Sequence, residues 1–282
     1  MYSLAIHLYT FVVALISPFH KKARLMRFGQ WKTNSILREK IDRNAKYIWF
    51  HASSLGEFEQ GRPMIEKIKA EHPEYKVLLT FFSPSGYEVR KNYKGADVIC
   101  YLPFDTPFRV KKFLNLANRD RIFINVQSWV GNYLRELRKR GIPVYIISAI
   151  FRPDQLFFQW FGKPYRKMLS YFNHLFVQDE RSMKLLNEFG ITNVTVTGDT
   201  RFDRVLDVRK QARELPFIER FLESKEGKRP IVMVAGSSWP STTEAIFIPY
   251  FHEHPEMKLI IAPHEIHREH LLSIEAMLKR PS

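Results

Sequence analysis

Short apolar runs recur along most of this chain with helix-length stretches between them, and this alternation constrains the fold more than any other feature. The runs lie at 47–50, 77–82, 98–101, 121–126, 144–150, 175–177 and 194–196. Most are rich in β-branched and aromatic residues and apolar at successive positions, as strands covered on both faces must be. Stretches such as 64–71, 129–140 and 165–171 have helical length. Strands alternating with helices predict an α/β class and a mostly parallel, doubly wound sheet.

After Asp203 the texture changes. Residues 204–229 are highly charged and carry one proline, Pro216, which reads as helix and linker. Two further strand-like runs follow, 231–235 and 259–262. Two strands are few for a second α/β domain of ordinary size, so the second domain is expected to be incomplete or reduced.

The 282 residues carry 44 basic and 29 acidic side chains, a net charge of +15. Such a surface favours an anionic partner. Its distribution is uneven. Residues 21–46 hold nine basic residues against two acidic ones, directly after an apolar stretch, 2–19, with no Asp, Glu, Lys or Arg. That stretch is marginal as a span, which needs about 20 apolar residues. Three placements are open for it: a cleaved signal peptide, a membrane anchor or a buried helix. No basic region precedes it and no clear A-x-A site follows, against the first. The flanking cations favour an anchor, with the body of the protein in the cytoplasm and held to anionic lipid. No nucleic-acid recognition motif accompanies the charge. The single cysteine, Cys100, excludes a disulfide within the chain and reads as a buried strand residue.

The run Trp49-Phe50-His51-Ala52-Ser53-Ser54-Leu55-Gly56-Glu57 reads as a buried strand ending in a tight turn, with a carboxylate at the start of the next helix. In a doubly wound sheet that place is the carboxyl edge, where ligands bind. Taken alone, Glu57 is equally a helix-start carboxylate favoured by the helix dipole. His51 reads as a structural residue at the strand end. His264, His267 and His270 carry no H-E-x-x-H pattern, read as surface histidines, and give no reason to expect a metal.

Five segments together resemble the bacterial Kdo transferases, which attach 3-deoxy-D-manno-oct-2-ulosonic acid (Kdo) to the lipid A precursor. They are His51-Ala52-Ser53-Ser54-Leu55-Gly56-Glu57, Tyr101-Leu102-Pro103-Phe104-Asp105, Thr197-Gly198-Asp199-Thr200-Arg201-Phe202-Asp203, Gly236-Ser237-Ser238-Trp239-Pro240 and Ile261-Ala262-Pro263-His264. The resemblance implies a GT-B fold of two Rossmann-like domains. It implies a CMP-Kdo donor, a lipid IVA acceptor, no cofactor, and a place on the cytoplasmic face of the inner membrane. The resulting organisation is an anchor at 1–20, an acceptor domain at 21–205, a linker at 206–229 and the start of a donor domain at 230–282.

The same resemblance assigns roles. Glu57 is the implied base that takes the proton of the attacking hydroxyl. Ser53, Ser54, Gly56 and Gln127 shape the acceptor side. Arg201, Gly236, Ser237, Ser238, Pro263 and His264 are the implied donor-binding set. Gly236-Ser237-Ser238 would offer backbone N–H groups at a helix start to the donor's anionic groups. Read without the family, it is an ordinary strand-to-helix turn with serine capping. Arg201 stands where the family often has lysine, and otherwise reads as a solvated arginine paired with Asp199 or Asp203. His264 stands where many relatives have arginine. Gln127 replaces a usual glutamate and cannot act as a base. Glycine-rich and Gly-Gly-His-Asn-type motifs that relatives carry further on are not in this sequence. Two other readings stay open: a degenerate, non-catalytic relative that binds lipid, and a GT-B enzyme using another sugar nucleotide.

Overall fold

The computed structural model describes residues 2–117, 121–126, 130–210, 214–223 and 230–279, without the side chains of 121–126. The chain divides into two units, Met1–Lys210 and Gln211–Ser282. In the first, the strands are β1 (Lys46–Ala52), β2 (Tyr75–Phe81), β3 (Val98–Tyr101), β4 (Arg121–Val126), β5 (Val144–Ala149), β6 (His174–Val177) and β7 (Val194–Val196). The helices are α1 (Tyr2–Ile16), α2 (Lys21–Lys40), α3 (Leu55–Glu71), α4 (Pro84–Arg90), α5 (Pro107–Leu116), α6 (Gly131–Lys139), α7 (Lys163–Leu169), α8 (Glu180–Glu188) and α9 (Arg201–Lys210).

All seven strands pair in parallel, in the order β3-β2-β1-β4-β5-β6-β7. The doubly wound sheet expected from the alternating pattern is therefore present. Successive β1 side chains enter opposite cores. Trp49 packs with Leu37, Leu78, Phe113 and Tyr133 on one face, while Ile48 and Phe50 pack with Phe58 and Ile65 on the other. Trp49 also donates its indole N–H to Thr80 Oγ1 at 2.8 Å. Cys100 is buried, and burial pushes its thiol well above the usual range.

The basic stretch after the apolar N-terminus folds as α2. Its buried positions Ala23, Met26, Gln30, Thr33 and Leu37 recur every three or four residues, the stripe of a helix laid on a core. Gly29 lies against β3 so closely that a Cβ there would meet the Tyr101 ring at 2.2 Å. The start of α1 is tied to the same unit. Tyr2 donates its hydroxyl to Asp105 Oδ2 at 2.6 Å, and Asp105 accepts the backbone N–H groups of Asn132 and Tyr133 at 3.0 and 2.9 Å, closing the start of α6. Burial raises the Asp105 carboxyl to about 6, against the pull of those donors. Much of α1 beyond this point is exposed, including Leu8, Phe11 and Leu15. Among the described residues no single helix is long and apolar enough to cross a membrane, although α1 and α2, bent by 114°, meet that test as a pair by length and composition.

The second unit holds α10 (Pro216–Leu222), the parallel pair β8 (Ile231–Ser238) and β9 (Met257–Pro263), α11 (Ala245–Glu253) and α12 (Arg268–Lys279). A π-helical turn, Pro240–Glu244, joins β8 to α11. The unit boundary falls at Lys210, within the segment read as linker, and α10 lies wholly inside that segment. One polar cluster ties the unit together. Ser238 donates to Glu244 Oε1 at 2.7 Å, and His270 Nε2 bonds Glu244 Oε2 at 2.8 Å. His270 Nδ1 lies 2.8 Å from the Glu265 carbonyl, so both ring nitrogens face acceptors. The imidazolium form fits this geometry, and the bonds to Glu244 and Glu265 raise the His270 pKa. The sequence reading of His270 as a surface residue is thus corrected: it is buried because it is the counter-ion of an inward-facing glutamate.

Two histidines should contribute to the stability of their units with opposite dependence on pH. His51 in β1 is buried, and burial lowers it from 6.5 to about 4. A depressed histidine contributes stability above its unfolded pKa and loses it in acid. The His51 contribution alone falls by about 3 kcal/mol as pH drops from 6.5 to 4, while Asp105, raised to about 6, acts in the opposite direction over the same range, so the His51 slope is the difference between the parent and His51→Gln. His270 is raised, so its contribution is present below the ordinary imidazole range and is lost as pH rises through its folded pKa. Hydrogen exchange read separately for each sheet against pH checks both signs.

Candidate active site at the carboxyl edge of the first sheet

Strand order reverses beside β1: β2 and β3 lie on one side of it, β4 to β7 on the other. A crevice opens at such a point beyond the carboxyl ends of the strands. β1 ends at Ala52, and α3 begins at Leu55. Ser53 and Ser54 make the whole connection.

Local chemistry dictates this turn. Ser54 is the N-cap of α3 and accepts the Glu57 N–H. Glu57 returns its carboxylate to the Ser53 N–H. The Ser-x-x-Glu spacing is a capping box, with the return bond displaced by one residue. Ser53 also accepts the Ser83 N–H at 2.7 Å, which ties the turn after β2 to the turn after β1. Glu57 is half-buried at the helix start, so both readings of it meet in one geometry. Gly56 lies inside α3, after the turn. It is exposed and helical, and an added Cβ would meet only Ser54 Oγ, at 4.0 Å. Apart from Ser54 Oγ and its own chain neighbours, nothing crowds this position.

His51 is the structural residue expected. Its Nδ1 lies 3.2 Å from the Thr80 carbonyl, which places the ring proton on Nδ1, and burial holds the ring neutral.

A second group joins the site from β5 and the turn before α9. Ser148 is buried in the left-handed region with φ 51°, and its carbonyl accepts Gln178 Nε2 at 2.8 Å. Thr200 donates to the Gln60 carbonyl at 2.7 Å and accepts the Ser148 hydroxyl at 2.7 Å. These bonds lock the turn carrying Asp199 and Arg201 against α3, one turn beyond Glu57. Arg201 is exposed and forms a paired contact with Asp199, Nη2 to Oδ2 at 2.5 Å and Nε to Oδ2 at 2.8 Å. Burial raises the Asp199 carboxyl, but its bonds to Arg201 outweigh this and hold it below the usual range. Of the two partners considered for Arg201, the structure selects Asp199. Ser148, Gln178 and Gln60 were missed by sequence reasoning. The available signal was a serine in the apolar 144–150 run.

The donor set of the second unit needs correction. Gly236, Ser237 and Ser238 are the end of β8, and the helical turn starts only at Pro240, without a side-chain cap. The Ser238 hydroxyl is spent on Glu244 inside the unit. Ser237 is in the left-handed region, φ 58°, and its Oγ meets His264 Nδ1 at 2.8 Å. Trp239 stacks on the His264 ring at 4.4 Å, and Pro263 ends β9 beside Ser238. Ser237, Trp239 and His264 are therefore the side chains gathered at this edge. Gln127 lies outside the described residues. Among these residues no group of three His, Cys, Asp or Glu side chains is arranged to hold a metal ion. A cavity of about 520 Å³ lies along the far half of α3, lined by apolar residues such as Met64, Ile68, Tyr145 and Phe176, away from Glu57.

The family model for 3-deoxy-D-manno-octulosonic-acid transferase (kdotransferase) matches residues 23–204. This chain belongs to that family. The match contains Ser53, Ser54, Gly56, Glu57, Gln127 and Arg201, and ends before the second unit. Among curated 3-deoxy-D-manno-octulosonic acid transferases, the chain is 28% identical to that of Bordetella pertussis, over 56% of this chain and 38% of the relative. It is 28% identical to that of Rickettsia bellii, over 72% and 47%. It is 26% identical to that of Chlamydia trachomatis, over 81% and 54%. The chain thus spans about half, or less, of the length of these transferases. Among solved structures, a UDP-GlcNAc 2-epimerase from Neisseria meningitidis bound to UDP-GlcNAc superposes with a TM-score of 0.55 at 14% identity, covering 82% of this chain and 69% of the other. At that identity the likeness shows the fold, GT-B type, with one Rossmann-like unit and a partial second one in which two parallel strands pair, as expected for an incomplete second domain.

If the cap orders the Glu57 turn, Ser54→Ala should cost about 1 kcal/mol. Glu57→Gln, which keeps an acceptor oxygen for the return bond, should cost less than about 0.5 kcal/mol. Urea melts of the two variants check this.

Proposed function

We propose that the protein transfers Kdo from CMP-Kdo to the lipid A precursor lipid IVA in lipopolysaccharide synthesis, at the cytoplasmic face of the inner membrane. The observation that carries the reading is a partly exposed glutamate, Glu57, at the switch point of the sheet and inside the segment shared with the family. The net charge of +15 and the exposed apolar face of α1 support an anionic membrane as the place of work.

The reaction asks for one bond made and one broken at the anomeric carbon. An acceptor hydroxyl oxygen attacks that carbon, and the bond to the phosphate oxygen of CMP breaks, its electron pair leaving with CMP. The hydroxyl proton passes to Glu57. A carboxylate already oriented by the Ser53 N–H meets the acceptor without searching for its rotamer. The uncrowded position at Gly56 lets a sugar come near the carboxylate. Arg201, with its charge partly balanced by Asp199, and the Ser237–His264 pair are the groups we assign to anionic parts of the substrates.

Membranes carrying this chain, supplied with CMP-Kdo and lipid IVA, should form a Kdo-bearing product. Glu57→Gln should lower the rate about 100-fold or more while leaving the melting midpoint near that of the parent. Unchanged transfer by Glu57→Gln would remove Glu57 as base. Lipid IVA binding without transfer by the parent chain would favour the non-catalytic relative, and transfer from another sugar nucleotide would favour the third reading. Gly56→Ala separates stability from function. It should stabilise α3 by about 0.5 kcal/mol and yet raise KM for the acceptor.

A further inference from the structure

We propose that a cavity between α1, α2 and α5 seats the phosphate of an anionic phospholipid, whose acyl chains lie along α1. Two cavities, of about 230 and 120 Å³, share Gln30, Trp31 and Arg109 in their walls. The first also takes in Lys112, the second Arg27.

Gln30 is the deciding group. It is 5% exposed, on the buried stripe of α2. Its Oε1 accepts the Phe104 N–H at 3.0 Å. Turning the amide over would set two donors against each other, so the NH₂ group must point the other way. There, among the described residues, Nε2 has no hydrogen-bond partner. A buried donor in a cavity wall calls for an acceptor.

The surrounding charge says which kind. Arg109 is half-buried with its guanidinium 5.3 Å from the Phe104 ring, and burial lowers its pKa. Arg27 lies 5.0 Å from the Trp31 ring and donates to the Ala14 carbonyl and to Ser17 Oγ. The ion pairs among the described residues use other cations than Arg27, Arg109 and Lys112. Cations without carboxylate partners beside a buried amide donor suit phosphate oxygens.

The setting chooses a lipid over free phosphate. Thr10, Val13 and Ala14 of α1 line the smaller cavity, and α1 exposes Leu8, Phe11, Val12 and Leu15. Trp31 and Phe108, exposed at 58% and 75%, stand among the lining residues. An anionic seat joined to an apolar helix, with aromatic side chains at its edge, matches the boundary between headgroups and acyl chains.

The proposal rests on the membrane reading above, but its test contains neither CMP-Kdo nor lipid IVA, so the two can fail separately. Sedimentation of the full chain with phosphatidylcholine vesicles containing about one third phosphatidylglycerol, at physiological ionic strength, reads the partition coefficient. Arg109→Ala/Lys112→Ala and Gln30→Glu should each lower it about tenfold. Lys139→Ala/Lys184→Ala, which removes equal charge elsewhere on the unit, should lower it less than about twofold. Circular dichroism confirms that each variant is folded, and the double variant, at an exposed lysine and a half-buried arginine, stands if Gln30→Glu does not fold. Equal losses in the pocket and control variants would overturn the proposal. So would millimolar inorganic phosphate binding at the pocket without partition onto the vesicles.

Discussion

Glu57 is held by the backbone of Ser53, one residue beyond a strand covered on both faces, and the geometry of the candidate site follows from that bond. The bond can form only because β1 ends where it does. Trp49 and Phe50, facing opposite cores, fix the register of the strand against β2 and β4. A slip of one residue would exchange the two faces. The strand's end, the cap of α3 and the place of the carboxylate are thus set together. Thr200 then brings the Asp199–Arg201 turn against the same helix through Gln60.

What could be read from the sequence follows a physical division. A run such as 77–82 shows a two-sided buried strand in its own residues, and the structure has β2 there, over Tyr75–Phe81. The Ser54–Glu57 spacing is equally local, and a helix start lies there. Buried polar partners are not local. Ser238 looked like a ligand-facing serine because Glu244, which accepts its hydroxyl, comes 6 residues later, and His270, which holds that glutamate, 32 residues later. Ser148 stood out only as a serine in an apolar run, because its role depends on Thr200, 52 positions away. The basic stretch after Phe19 hid a helix because its charge is conspicuous and its buried stripe is spread over five positions.

The two units carry their polar burial differently. In the first, Asp105 satisfies backbone donors at a helix start and His51 sits neutral against a strand carbonyl. In the second, a buried glutamate and histidine form an ion pair at the end of the parallel pair. Breaking one partner of such a pair strands the other, so it holds the unit's geometry more than it adds stability. That cluster also sets the ends of β8 and β9, and with them the exposed group of Ser237, Trp239 and His264. The side chains that could meet a ligand there are those the buried cluster leaves outside.

The central claim is that the carboxylate oriented by Ser53 takes the acceptor's proton. The pH dependence of kcat/KM for Kdo transfer, measured with the parent chain and with Glu57→Gln, tests it most directly. We expect the parent rate to rise with pH along a limb that titrates as one carboxylate, and the residual rate of Glu57→Gln to lack that limb. The same limb in both proteins would contradict the account, because the titrating group would then lie elsewhere.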